Sequence, residues 1–273
     1  MNLFKDMVCY QEEVRDPSRM AEVLNRVIEK AFRGSAPAQI NVPRDYWTQV
    51  IDVELPPIVR FERQGGGKDA IDSAAKLLSK AKFPVILSGA GVVLGGAINE
   101  CKKLAEKLDA PVCNGYQHND SFPGSHPLAV GPLGYNGSKA AMELISKADV
   151  VLALGTRLNP FSTLPGYGVD YWPKNATIIQ VDMNPDRIGL TKKVTVGICG
   201  DSKQVAQQII DKLSVDAGDP GREERKNLIH KTKSAWLQTL SGLDHEEDDP
   251  GTVWNKEARE RDKDRMSPRQ AWR

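Results

Sequence analysis

The sequence predicts an α/β chain: a doubly wound parallel sheet preceded by a partial α/β domain. Two observations predict it. Between residues 69 and 214, short and continuously apolar runs alternate with amphipathic stretches at helical spacing, the pattern of parallel strands covered on both faces. The opening residues, by contrast, supply one helix and one strand, which cannot bury both their faces alone. Right-handed crossovers in such a sheet set the strand ends on one rim, where ligands of these folds sit.

In the opening, Asp16-Pro17-Ser18-Arg19 is a helix start, with proline in the first turn where its missing N–H costs nothing. Met20, Val23, Leu24, Val27, Ile28 and Ala31 follow at spacings of three and four, and Gly34 ends the helix. Pro37-Ala38-Gln39-Ile40-Asn41-Val42-Pro43 is a short strand stopped by proline. Residues 1–54 thus look like the tail of a domain that begins elsewhere. The stretch from Leu55-Pro56-Pro57 to Gly65-Gly66-Gly67 makes 55–68 a linker, stiff and then flexible.

Residues 69–214 form the complete domain. Helices are expected over 69–81, 97–108, 138–147 and 202–213. Strands are expected at Pro84–Ser88, from Pro111-Val112-Cys113, at Val150–Leu154, at Ile178-Ile179-Gln180-Val181 and at Val194–Cys199. Residues 215–266 read as a helix over Arg222–Leu240, with Leu228, Trp236 and Leu240 on one face, followed by a linker dense in both charge signs. Ser267 and Pro268 then suit a cap and first turn, so 267–273 reads as the start of a further unit.

Composition excludes several classes. The 273 residues are 40% hydrophobic and 27% charged, ordinary for a globular chain. Lys+Arg at 37 against Asp+Glu at 36 leaves no net field to gather nucleic acid or an anionic membrane. No apolar run approaches a membrane span, and Met1-Asn2-Leu3-Phe4-Lys5-Asp6 lacks the apolar core of a secretory signal. Cys9, Cys101, Cys113 and Cys199 form no CxxC pair and read as reduced thiols of a cytoplasmic protein.

The clearest local signal is Ser88-Gly89-Ala90-Gly91-Val92-Val93-Leu94-Gly95-Gly96, between a strand and a helix. Glycines there let backbone approach a phosphate, and the helix start presents free N–H groups. Leu94 stands where the third glycine of the dinucleotide fingerprint belongs, so a nucleotide site and a plain tight turn both remain open. Gly155-Thr156-Arg157 and Asp182-Met183-Asn184 end two buried strands; they could hold a phosphate and a ribose, or brace each other. Gly200-Asp201 has the same ambiguity, since Asp201 suits a helix cap. His118, Asp120 and His126 share a long loop without metal-ligand spacing, and no metal site is assigned. Cys101 and Cys113 read as packed thiols, and Arg222-Glu223-Glu224-Arg225-Lys226 as an exposed helix face. No nucleophile–base or paired-carboxylate arrangement emerges, so no catalytic residue is assigned.

The residues also carry a resemblance. Pro37-Ala38-Gln39-Ile40-Asn41-Val42-Pro43-Arg44-Asp45 resembles the strand closing the pyrimidine-binding domain of thiamine-diphosphate enzymes. Pro84-Val85-Ile86-Leu87-Ser88-Gly89-Ala90-Gly91-Val92 resembles the first strand and turn of their central domain. Phe122-Pro123-Gly124-Ser125-His126-Pro127-Leu128 with Gly131-Pro132-Leu133-Gly134-Tyr135-Asn136-Gly137 is similar to its long loop. Ala148–Arg157 and Ile178–Asp182 complete the series in the right order. Tyr10–Met20, Gly115–Asp120 and Asn159–Gly168 resemble the sulfoacetaldehyde acetyltransferase group within that superfamily.

The resemblance implies a parent enzyme that converts sulfoacetaldehyde and phosphate to acetyl phosphate and sulfite in sulfonate (taurine) breakdown. Thiamine diphosphate would supply the carbanion chemistry. The family's activating glutamate would lie before Met1, and its magnesium-diphosphate motif after Arg273. This chain alone is therefore expected to be inactive. Flavin-containing relatives hold FAD along positions matching Gly89, Gly91, Leu133, Gly134, Gly155, Arg157 and Asp182. Here Leu158-Asn159-Pro160 stands where those relatives carry Phe-Asp-Asp, so FAD is not expected and the rim reads as a retained scaffold feature. The parent is expected to be a homodimer or homotetramer. Alternatives are an acetolactate-synthase-like or oxalyl-CoA-decarboxylase-like enzyme, and a non-catalytic nucleotide-binding or scaffold module.

Overall fold

A computed structural model describes residues 2–57, 62–214 and 220–243. The charged linker and the further unit expected beyond residue 243 lie outside the described residues. The chain divides into two compact units, residues 1–62 and 63–273.

In the first unit, β1 (Tyr10–Glu13) pairs in parallel with β2 (Ala38–Asn41), from Tyr10 opposite Ala38 to Glu13 opposite Asn41. The crossover between them is α1 (Met20–Gly34). Asp16 caps the turn ahead of it, accepting from the Ser18 N–H at 2.9 Å. Val23 and Val27 on the inner face of α1 bury against Val14, Tyr10, Ala38 and Ile40. The expectation of a single strand here is corrected: Tyr10-Gln11-Glu12-Glu13 is too polar to read as a strand, yet parallel pairing with β2 satisfies its backbone.

The second unit is built on a six-stranded, wholly parallel sheet. Its strands are β3 (Pro84–Ser88), β4 (Val112–Asn114), β5 (Ala129–Pro132), β6 (Val150–Leu154), β7 (Thr177–Asp182) and β8 (Val196–Cys199). They lie in the order β5-β4-β3-β6-β7-β8. The chain winds outward from β3 in one direction, returns to β6, and winds outward in the other. The order therefore reverses between β3 and β6, the place where doubly wound sheets open a crevice beyond their strand ends. Every residue of β3 and β6 is buried, as two-sided cover demands.

Among the described residues six helices accompany the sheet: α2 (Lys68–Lys80), α3 (Ala90–Leu94), α4 (Ile98–Leu108), α5 (Lys139–Ile145), α6 (Ser202–Lys212) and α7 (Pro220–Leu243). Ile71, Leu78, Leu104, Leu108, Leu144 and Ile209 come from four of them and are buried in one continuous core with the strands. No helix among the described residues is long and apolar enough to cross a membrane.

Two readings are corrected. The stretch read as one long loop contains β5, whose Gly131 and Pro132 disguise it; such residues are tolerated at an edge strand. Arg222–Lys226 is not a wholly exposed face. Arg225 is buried and donates to the carbonyls of Leu108, Asp109 and Lys82, while Arg222 pairs with the Asp109 carboxylate. Asp109, with φ of 48°, ends α4 in the left-handed conformation, and the two arginines satisfy carbonyls that the helix end leaves free.

Candidate ligand rim at the switch point

The β3–α3 turn and the segment after β6 meet at the switch point. A Cβ placed on Gly89 would come within 2.6 Å of Thr156 Cβ, and one on Gly91 within 2.7 Å of Gly155 Cα. Gly155 itself has φ of +62°, a conformation that side chains resist. The glycines let two backbones cross at contact distance.

Their amides are used internally. Gly89 N–H donates to Leu154 O at 3.1 Å, Gly91 N–H to Gly155 O at 2.8 Å, and Gly155 N–H to Val181 O at 3.0 Å. On the neighbouring loop, Leu133 N–H donates to Asn114 O at 3.0 Å, and Gly134 N–H reaches the Tyr171 hydroxyl at 3.3 Å. That hydroxyl donates to Leu164 O at 3.0 Å; burial pushes its pKa up to about 12, so it stays protonated.

Gln180 was legible only as one polar residue inside an apolar strand. It is buried within β7, and its amide nitrogen donates to Thr156 O and Arg187 O, each at 3.1 Å. Its oxygen accepts from Gly189 N–H at 2.9 Å. One side chain thus ties the loops after β6 and β7, which is why a polar residue stands in that run. Leu158 is buried at φ of 53°, held by Thr156 Oγ1 on its N–H and by the Thr191 hydroxyl on its carbonyl. Farther along, Phe161 packs edge-on against Tyr116 at 5.1 Å, beside Gly134.

The charged candidates separate. Arg157 is exposed and has no hydrogen-bond or ion-pair partner among the described residues. Asp182 is buried and accepts from Asn184 N–H at 2.9 Å on its own turn, so the two do not brace each other. Asp201 caps α6 through Lys203 and Gln204, and also accepts from Arg63 at 2.9 Å. Arg63 donates to Gly95 O as well, a role no sequence signal announced.

The remaining candidates stay apart. His126 faces Glu106 at 3.2 Å, while His118 lies 3.9 Å from Asp120. Cys101 and Cys113 are buried, and burial pushes the Cys101 thiol up to about 12 and the Cys113 thiol upward as well. No group of three or more His, Cys, Asp or Glu among the described residues is placed to hold a metal ion.

A family model described as the central domain of thiamine pyrophosphate enzymes matches residues 71–209. The chain belongs to that family. A relative from Rhizobium meliloti, named a probable sulfoacetaldehyde acetyltransferase, is 78% identical over 273 residues, all of this chain and 46% of the relative. The sulfoacetaldehyde acetyltransferase of Roseovarius nubinhibens is 75% identical over the same 273 residues and 45% of its own length. A probable acetolactate synthase large subunit from Methanocaldococcus jannaschii is 33% identical over 89% of this chain and 40% of that protein. The chain thus spans less than half the length of these relatives. Among solved structures, benzoylformate decarboxylase from Polynucleobacter necessarius matches with a TM-score of 0.67 and 23% identity, over 81% of this chain and 41% of that one. At that identity the likeness speaks for the fold of this thiamine pyrophosphate enzyme segment.

Proposed function

We propose that this chain is an internal segment of a sulfoacetaldehyde acetyltransferase, which turns sulfoacetaldehyde and phosphate into acetyl phosphate and sulfite. The observation that carries the reading is identity of 78% and 75%, along the whole chain, to two proteins bearing that name. The acetolactate-synthase-like alternative has 33% identity to support it. Thiamine diphosphate, with Mg2+, would be held by parts of the parent outside the described residues, and the parent would work in the cytoplasm as a homodimer or homotetramer.

Within the parent, this segment's task is to scaffold. The rim residues Gly89, Gly91, Leu133, Gly134 and Gly155 spend their amides on one another's loops rather than presenting them to a phosphate. Asp182 and Gln180 shape turns beside them. On this reading the rim carries no flavin, and Arg157 is an exposed cation on it.

The test is expression of this segment together with the coding sequence that flanks it. With thiamine diphosphate, Mg2+, phosphate and sulfoacetaldehyde, the longer protein should release sulfite and form acetyl phosphate, while the 273-residue chain alone releases none. Pyruvate consumption without sulfite release would move the assignment to the acetolactate-synthase-like reading. Saturable micromolar binding of FAD or ADP to the chain would overturn the scaffold role of the rim.

A further inference from the structure

Helix α7 is fastened to the second unit at three heights. At its foot, the buried Arg225 guanidinium joins the carbonyls that end α4 to the Lys82 carbonyl just ahead of β3, with Arg222 on Asp109 beside it. This is the N-terminal pole of the sheet. Midway, Ile229 enters the core and the half-buried Lys233 ammonium donates to His126 O at 3.0 Å. Helical rise then carries Trp236 about 16 Å beyond Arg225, about the length of a five-residue strand such as β6. There Trp236 meets the Tyr167 ring edge-on, with centroids 5.6 Å apart.

Tyr167 lies in the segment that follows β6, and it is under strain. Its φ is 54°, in the left-handed region that a tyrosine resists. Such a conformation persists only where the surroundings hold it. Three restraints hold it here. The hydroxyl donates to Gly137 O at 3.0 Å, beyond the end of β5. The adjacent Gly166 lies so close to α5 that a Cβ would come within 2.6 Å of Met142 Cε. The third restraint is Trp236.

We propose that α7 is a positioning strut for the rim: anchored at the N-terminal pole by Arg225, it braces Tyr167 through Trp236 and so sets the Asn159–Gly168 loop. That loop carries Phe161 against Tyr116, so the seat of α7 is coupled to the shape of the rim. A helix that merely covered Ile229 would lack this coupling.

Amide hydrogen exchange on the 273-residue chain separates the two. Trp236→Ala should speed exchange of the bonded Phe161, Thr163, Leu164 and Val169 amides roughly threefold to tenfold, leaving β6 unchanged. Trp236→Phe, which keeps an aromatic edge, should restore protection. Leu237→Ala, at an exposed neighbour on the same helix, should have no effect on the loop. Coupling is reciprocal, so Tyr167→Ala should loosen the Thr232–Leu240 amides in return. An unchanged loop in Trp236→Ala overturns the proposal. If that variant loses cooperative unfolding, Tyr167→Ala decides: faster exchange over Thr232–Leu240 supports the strut, and unchanged exchange there overturns it.

Discussion

Gly91 and Gly155 meet backbone to backbone: the Gly91 amide donates to the Gly155 carbonyl at 2.8 Å, and a Cβ on either would stand 2.7 Å from the other's Cα. Gly91→Ala must therefore push the β3–α3 turn and the segment after β6 apart. The expected cost is about 1–3 kcal/mol, read as a lowered Tm of the 273-residue chain. Gly96→Ala is the control, because Gly96 has φ of +64° but open space around it, so only backbone strain applies. A loss no greater in Gly91→Ala than in Gly96→Ala would show the crossing to be slack.

Arg225→Ala should destabilise the chain by about 2–4 kcal/mol, since it strands the Leu108, Asp109 and Lys82 carbonyls in a buried place. Arg225→Lys should recover little, because one compact ammonium cannot fork to three acceptors. Urea midpoints measure both. Full recovery by lysine would mean that charge matters there and geometry does not.

Thiol labelling at neutral pH should divide the cysteines. Cys9 is exposed and should react in the native chain, whereas Cys101 and Cys113 should react only on unfolding. Their burial both blocks the reagent and raises the thiol pKa, to about 12 for Cys101. Rapid native labelling of Cys113, followed by mass spectrometry, would contradict the closed core around β4.

Acid should act on α1 through Glu22. Hydrogen bonds from Arg19 and then Arg26 hold its carboxyl at about 2, against an ordinary 4.5. A carboxyl lowered in the folded state stabilises fully above its unfolded value, so this contribution is complete above about pH 4.5 and drains away toward pH 2. The Glu22 carboxyl followed by NMR should titrate near the lower value, and Glu22→Gln should flatten that stretch of the acid-unfolding curve. A midpoint near 4.5 would mean the two arginines do not hold it.

Much of the fold was legible because burial on both faces writes itself as apolar runs. Val150–Leu154 and Pro84–Ser88 read as the strands they are, and the helices expected at 97–108 and 138–147 came within a few residues, whereas the short α3 inside the glycine turn went unread. What was missed lacks that imprint. β1 is polar and β5 is a four-residue edge strand with glycine and proline. At the rim, sequence located the glycines but not their purpose: close approach to a phosphate and close approach to another backbone demand the same residue. Only the 2.7 Å crossing of Gly91 and Gly155 tells them apart. Arg225 was misread because a buried arginine looks like its solvated neighbours until the α4 carbonyls are placed beside it.

The Arg225 clamp also bears on where this domain can be trimmed. A product trimmed after Ser214, two residues past the end of α6, keeps all six strands. It would nevertheless lose the cap on α4, the Ile229 plug and the brace on Tyr167 in one stroke. A recombinant boundary for the excised domain therefore belongs beyond Leu243, because shorter products would bare an apolar scar and tend to precipitate.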